Sequence, residues 1–137
     1  MKILITGFEP FGRNDENSSW VVANKVATQN TFGIDIALEL MPVSFRSVAK
    51  TLRTAVTRHN PDLLIMLGQA GSSDKVRLER IAINMMDARN ADNDGFIPDE
   101  ETINTETPVA LFTNTDIKQL YNAIVEQSIP VKISNSC

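Results

Sequence analysis

Lys2-Ile3-Leu4-Ile5 leads straight into Thr6-Gly7-Phe8-Glu9-Pro10-Phe11-Gly12, an apolar strand that ends in a loop bracketed by glycines. An open α/β sheet presents its sites at the ends of such strands. The spacing of Gly7 and Gly12 approaches that of a phosphate loop, but Arg13-Asn14 stand where Lys-Ser/Thr is needed. Pro10 has no N–H to offer a phosphate, and Glu9 repels one. The phenylalanines on either side of Pro10 suit a small, flat, uncharged ligand; alternatively they plug the end of the sheet.

Outward from this loop, strand and helix signals alternate. Ser18 and Ser19 are N-cap candidates for a helix from about Trp20 to Thr28. The stretch 34–40 alternates apolar and polar residues and reads as a strand ended by Pro42. Ser44 then caps a helix whose apolar stripe is Phe45, Val48, Ala49, Leu52, Ala55 and Val56, closed by His59 and Asn60. The run 63–67 is continuously apolar, as expected of a strand covered on both faces. Val76 and Leu78 alternate, but the phase slips at Ile81 and Ile83, which predicts a bulge around Glu79-Arg80. The stretch 91–107 is polar and weakly structured. A helix capped by Thr115 follows, with Ile117, Leu120, Tyr121, Ile124 and Val125 on one face, and Val131-Lys132-Ile133 begins a last strand. The order predicts a three-layer α/β/α sandwich around a mostly parallel open sheet, of the phosphorylase/hydrolase-like kind. A parallel strand is ordinarily covered by a helix after it, and none follows Ser134, so Val131 and Ile133 are expected to be exposed and the C-terminal part of the domain to be missing.

The bulk numbers bound the function. At 137 residues the chain makes one domain, 1–137, with enough material for a core. Hydrophobic residues at 42% and charged residues at 22% are ordinary for a soluble globular chain. A net charge of −4, with no basic cluster above two residues, argues against a nucleic-acid surface. No apolar run approaches a membrane span, and the opening on a strand predicts no signal peptide. A single cysteine allows no internal disulfide, and no Cys/His cluster suggests a metal. A cytoplasmic enzyme or binding domain with no cofactor is expected.

Four segments set unexpected polar residues beside apolar ones: 7–20, Gly68-Gln69-Ala70-Gly71, 79–89 and Asp92-Asn93-Asp94-Gly95. Gly68 to Gly71 leaves the end of the most apolar strand, so its backbone belongs at the strand-end crevice. Glu79 is a carboxylate among buried neighbours, or one half of an ion pair with Arg77, Arg80 or Arg89.

In order and spacing the four segments resemble the pyroglutamyl peptidase I family, the pyrrolidone-carboxylate peptidases, which are cysteine exopeptidases. That family opens with T-G-F-[ED]-P-F-G-G and N-P-[ST]-W, matched here by Thr6 to Gly12 and, but for the proline, by Asn17-Ser18-Ser19-Trp20. Its L-P-V-S-F is Met41-Pro42-Val43-Ser44-Phe45, and its G-x-A-G is Gly68 to Gly71. Its E-R-x-A-x-N-x-x-D-A-R-x-x-D-N-x-G runs here from Glu79 through Arg89 to Gly95. The resemblance implies a Cys-His-Glu triad with Glu79 as the carboxylate that orients histidine. It also implies a pocket for the lactam ring of an N-terminal pyroglutamate, walled by Phe8 and Phe11. Backbone around Gln69 would read the lactam amide, Asn17 would help position the ligand, and Arg89 would lie close to the catalytic centre. The implied partners are N-terminally pyroglutamylated peptides, with no nucleic acid and no membrane, and a homo-oligomer at the level of the family.

The sequence also departs from the family. The nucleophile segment resembles S-N-[ST]-A-G-T-[FY]-x-C, of which Ser134-Asn135-Ser136 matches the opening; Cys137 falls several residues short of the nucleophile, and the histidine is absent. Cys137 is a poor substitute, since the terminal carboxylate beside it raises its thiol pKa. His59, between Arg58 and Asn60, reads as an exposed helix cap. Asn90-Ala91 replaces Ile-Pro, and Ser72-Ser73 replaces Gly-Arg. Two other functions are open. One is a catalytically dead homologue that binds a pyroglutamyl-like ligand. The other is a calcium loop, in which Asn90, Asp92, Asp94, Gly95 and Glu101 fall at EF-hand positions, although the segment 102–108 is a poor exit helix.

Overall fold

The structure, a computed structural model, describes residues 1–71 and 73–135. Ser72, Ser136 and Cys137, with the expectations attached to them, lie outside the described residues. The chain folds as two compact units: Met1–Gln69 with Arg89–Ile97, and Ala70–Ala88 with the described residues from Pro98 onward.

In the first unit β1 (Lys2–Phe8) lies between β2 (Asp35–Met41) and β3 (Leu63–Met66), all parallel, with Leu4 opposite Ala37 and Leu64. Residues 3–7 of the middle strand are buried without interruption. Helices α1 (Ser18–Thr28) and α2 (Val48–His59) complete the unit. Ala23 of α1 packs with Ile3 and Ile5, and Trp20, Ile34, Ile36, Leu38 and Leu67 close over them. Gly7 permits the crossing of β1 and α1: a Cβ there would stand 2.8 Å from the Trp20 backbone.

Four sequence expectations need correction in this unit. The N-cap of α1 is Asn17, not Ser18 or Ser19, and the helix begins at Ser18. β3 is not covered on both faces; it is the edge of the three-stranded sheet, and Met66 is 63% exposed. The second helix begins at Val48 rather than directly after Ser44. Residues 44–47 form a turn, because the Ser47 N–H donates to Ser44 Oγ at 3.2 Å and the Val48 N–H to the Ser44 carbonyl at 3.0 Å. His59 is not an exposed cap. It is the last helical residue, half-buried, with Nε2 3.6 Å from Glu39 Oε2; Arg58 also pairs with Glu39, and left-handed Asn60 (φ 43°) ends the helix.

The second unit holds β4 (Val76–Glu79), β5 (Ile81–Ile83), β6 (Met85–Met86), β7 (Glu101–Thr102), β8 (Ala110–Phe112), α3 (Ile117–Glu126) and β9 (Val131–Ser134). β4 pairs in parallel with β9, β5 antiparallel with β8, and β6 antiparallel with β7. The phase slip at residues 79–80 is therefore a change of partner rather than a bulge in one ladder. The Arg80 N–H donates to the Ser134 carbonyl, while the Arg80 carbonyl accepts from the Thr113 N–H, each at 2.9 Å. Val131 and Ile133 are half-buried, contrary to expectation, since the helix that covers β9 is α3, which precedes it. Among the exposed apolar residues of this unit are Val109, Leu111 and Phe112, on and beside β8. Parallel pairing with interleaved helices makes this an α/β fold.

Candidate active site

The strand-end loop of the first unit is held by hydrogen bonds more than by packing. Asn17 is the N-cap of α1: its side-chain oxygen accepts from the Ser19 N–H at 3.0 Å and the Ser19 hydroxyl at 2.7 Å. The Asn17 amide donates to the Glu9 carbonyl at 3.0 Å, and Ser19 Oγ accepts from the Phe8 N–H at 2.9 Å. Asn17 is buried, so its side chain shapes the loop from beneath. Phe8 is half-buried and Phe11 is 37% exposed, which leaves aromatic surface open at the end of β1. The Gln69 side-chain oxygen accepts from the Ser18 N–H at 2.8 Å and from Ser18 Oγ at 3.2 Å, tying the segment after β3 to the start of α1. Phe8, Phe11, Asn17 and Gln69 thus converge on one end of the sheet.

Arg89 opens the segment 89–97, which belongs to the same unit and is pinned to the turn before α2. Asp92 is nearly buried; its Oδ1 accepts from the Asp94 and Phe96 N–H groups and its Oδ2 from the Phe45 N–H, all at 2.9 Å. Burial pushes the Asp92 pKa up, but these three backbone donors and the Arg46 guanidinium outweigh it and hold the carboxyl below its ordinary value. Ser44 Oγ donates to Asp94 Oδ2 at 2.5 Å, and the Asn93 N–H donates to the Val43 carbonyl at 2.9 Å. Phe45 meets Phe96 edge-on at 6.3 Å, and Arg46 lies 4.6 Å over the Phe96 ring. Residues 43–45 are therefore zipped to 92–94.

That zipper answers the calcium reading. The Asp92 and Asp94 carboxylates are engaged by protein donors, with Gly95 (φ 80°) closing the turn. Among the described residues no group of three or more His, Cys, Asp or Glu could hold a metal.

Glu79 lies in the second unit, at the end of β4. Its Oε1 is 3.1 Å from Arg77 Nε, and Arg77 Nη2 donates to Ser134 Oγ at 3.1 Å. Of the three arginines named from sequence, Arg77 pairs with it. The Glu79 side chain is 35% exposed, so the pair contributes on the order of 0–1 kcal/mol and orients the carboxylate more than it holds the fold. The parallel register sets Glu79 directly opposite Ser134.

Sequence reasoning named Glu9, Ser19, Ser44 and Asn93 but not the part that each plays in fixing the loops. The available signal was the run of Asp and Asn ending in Gly at 92–95, which favours side-chain-to-backbone turns as well as cation loops.

Comparison with known proteins bears on the fold and the family. The family described as pyroglutamyl peptidase matches residues 1–137. The pyrrolidone-carboxylate peptidase of Thermococcus onnurineus is 39% identical, over 99% of this chain and 68% of its own. That of Bacillus subtilis is 40% identical, over 97% of this chain and 62% of its own. The chain thus spans about two thirds of the length of the curated relatives it matches. The crystal structure of Bacillus amyloliquefaciens pyroglutamyl peptidase I superposes with a TM-score of 0.93 at 35% identity, covering 99% of this chain and 66% of that one. The pyrrolidone carboxyl peptidase of Thermococcus litoralis gives 0.92 at 32% identity, covering 99% and 62%. With the match running through the strand-end loop, the segment 89–97 and the strand that bears Glu79, the chain belongs to the pyroglutamyl peptidase family.

Proposed function

We propose that this chain carries two parts of a cysteine exopeptidase that removes N-terminal pyroglutamate from peptides: a ring site and the carboxylate of the triad. The ring site is Phe8, Phe11, Asn17, Gln69 and Arg89. A lactam offers one donor and one acceptor, so two convergent backbone groups near Gln69 identify it, with aromatic faces on either side. The carboxylate is Glu79, which would fix the tautomer of a histidine and stabilise its charged form. A thiolate would attack the carbonyl that follows the ring, releasing the shortened peptide and leaving an acyl-enzyme for water to open. No cofactor is needed. The single cysteine gives the chain no internal disulfide, which suits a reducing compartment, and the cytoplasm is proposed as its location.

What carries the reading is the β4–β9 register. It sets Glu79 beside Ser134, the opening residue of the stretch that resembles the family's nucleophile segment. A second reading is a ligand-binding homologue that does not cleave; within this chain His59 sits beside Arg58 and Glu39.

One experiment separates the two. The 137-residue protein should bind pyroglutamamide yet release no fluorophore from a pyroglutamyl amide, since residues that act as one catalytic unit fail together. A chimera that continues it with the final third of the Bacillus subtilis relative should hydrolyse the same substrate. Turnover by the 137-residue protein that alkylation of Cys137 abolishes would sink the assignment. A folded chimera that binds without cleaving would favour the second reading.

A further inference from the structure

We propose that Glu9 and Asn93 are positioning residues for the ring site: together they lock the loop that carries Phe8 and Phe11. The inference rests on the ring-site reading and adds the device that sets its shape.

Packing alone does not hold the loop. Phe11 is 37% exposed, and Pro10 and Gly12 are exposed on either side of it. The placement of the second aromatic wall therefore depends on hydrogen bonds to the backbone around it. Glu9 sits between Phe8 and Pro10, and one of its carboxylate oxygens collects donors from two other segments. Glu9 Oε1 accepts from the Val43 N–H at 3.0 Å and from the Asn93 side-chain amide at 2.9 Å. The same Asn93 nitrogen donates its other hydrogen to the Pro10 carbonyl at 3.0 Å. The Asn93 N–H donates to the Val43 carbonyl at 2.9 Å, and the Glu9 N–H donates to the Met41 carbonyl at 3.0 Å. Three segments thus meet on two side chains: the end of β1, the end of β2, and the segment that opens with Arg89.

The residue types are those the geometry demands. Position 93 must supply two N–H donors from one short side chain, which asparagine does and aspartate cannot. Position 9 must accept twice at one oxygen, which glutamate and glutamine both can do. The lock works by shape, so the charge of Glu9 is dispensable and the amide of Asn93 is not. The two Asn93 amide bonds are exposed and the Val43 bond is part-buried, and the net worth of one such bond corresponds to about a two- to tenfold change in an equilibrium constant.

The test uses the 137-residue protein and pyroglutamamide as probe, with Kd read by NMR titration and stability by chemical denaturation. Asn93→Ala, Asn93→Asp and Glu9→Ala should each raise Kd about tenfold, the loss of one to two bonds. Glu9→Gln should stay within about twofold of wild type, because its amide oxygen still takes both donors. Asp62→Ala is the control: it removes the 2.7 Å bond from the Lys2 N–H at the opposite end of β1, so it should lower stability and leave Kd unchanged. Amide exchange at Val43 and Glu9 should quicken in Asn93→Ala and not in Glu9→Gln. Normal binding by wild type together with an unchanged Kd in Asn93→Ala overturns the positioning role. So does a Kd for Asp62→Ala raised as far as that of Asn93→Ala, because general loosening would then explain both. Absence of binding by the wild-type protein overturns the ring-site reading itself, and the positioning role falls with it.

Discussion

The two units reach order by different means. In the first, a middle strand buried from Ile3 to Gly7 is flanked by parallel neighbours, and Ala23 and Ala55 of its two helices are sealed to 0% and 1% exposure. In the second, the pairings are two to four residues long, and apolar residues on and beside β8 face outward, Val109 at 88% and Phe112 at 71%. Burial of apolar area is the main source of folding free energy, so the first unit carries most of the stability that this chain supplies itself. The second unit contributes a ladder that aims one carboxylate. The stabilising core and the proposed triad carboxylate thus lie in different units, and substitutions should reveal the division.

The largest expected effect lies in the second unit. In the chimera described above, Glu79→Gln should lower turnover by about ten-thousandfold, the scale seen when a triad carboxylate is neutralised. Its melting temperature and its Kd for pyroglutamamide should stay near those of the parent, because a partly exposed pair with Arg77 contributes little. Loss of stability with intact turnover would erase the proposed division and make Glu79 a structural partner.

Next comes the first unit. Leu4 is fully buried in the middle strand, and Leu4→Ala should cost about 2–5 kcal/mol in a denaturant titration. A cost below 1 kcal/mol, as for an ordinary surface site, would mean that the sheet β2-β1-β3 is not the stabilising core.

A smaller effect should appear on acidification. Asp92 has its folded pKa held below the ordinary 3.8, so its contribution is present in full above that value. It is lost as pH falls through the lowered folded value, when protonation removes the charge that the three backbone N–H groups and Arg46 face. Asp92→Asn should therefore be less stable than wild type at neutral pH, with the gap closing below about pH 4. A gap that is constant with pH would show that the side chain acts by shape alone.

The smallest effect should be at Phe112. With most of its surface in water, Phe112→Ser should change stability by less than about 0.5 kcal/mol. A loss of 2 kcal/mol or more, comparable with about that for a core truncation, would show that something covers this face in solution.

Most of the first unit could be read from the sequence. Alternation at 34–40 and the helical stripe Val48, Leu52, Ala55 are local periodic signals that a strand and a helix impose on their own residues. The edge position of β3 could not be read, because a run such as Leu63-Leu64-Ile65-Met66 says how apolar a strand is and not how many neighbours it has. The second unit was harder. β8 is three residues flanked by Val109 and Thr113, too short for a period, and its partner β5 lies far earlier in the chain. The phase slip at Arg80 was visible, yet a slip cannot distinguish a bulge from a change of partner. In the site, the position of Glu79 on a strand and the aromatic loop were both legible. The lock through Asn93 was not, because an Asp-Asn-Asp-Gly run fits a turn or a cation loop equally until its donors are known.

The pairing of β4 with β9 also has a consequence in time. Val76 pairs with Val131, which lies far later in the chain. At a synthesis rate of about 5–20 residues per second, several seconds separate completion of β3 from emergence of β9. The first unit can close its three-stranded sheet on the ribosome during that interval, whereas the β4–β9 ladder cannot form until β9 emerges. A polypeptide in this state is a substrate for chaperones and for intermolecular strand pairing. Translation speed downstream of residue 79 should therefore govern how much nascent protein reaches the soluble fraction, and pauses within the first unit should matter far less.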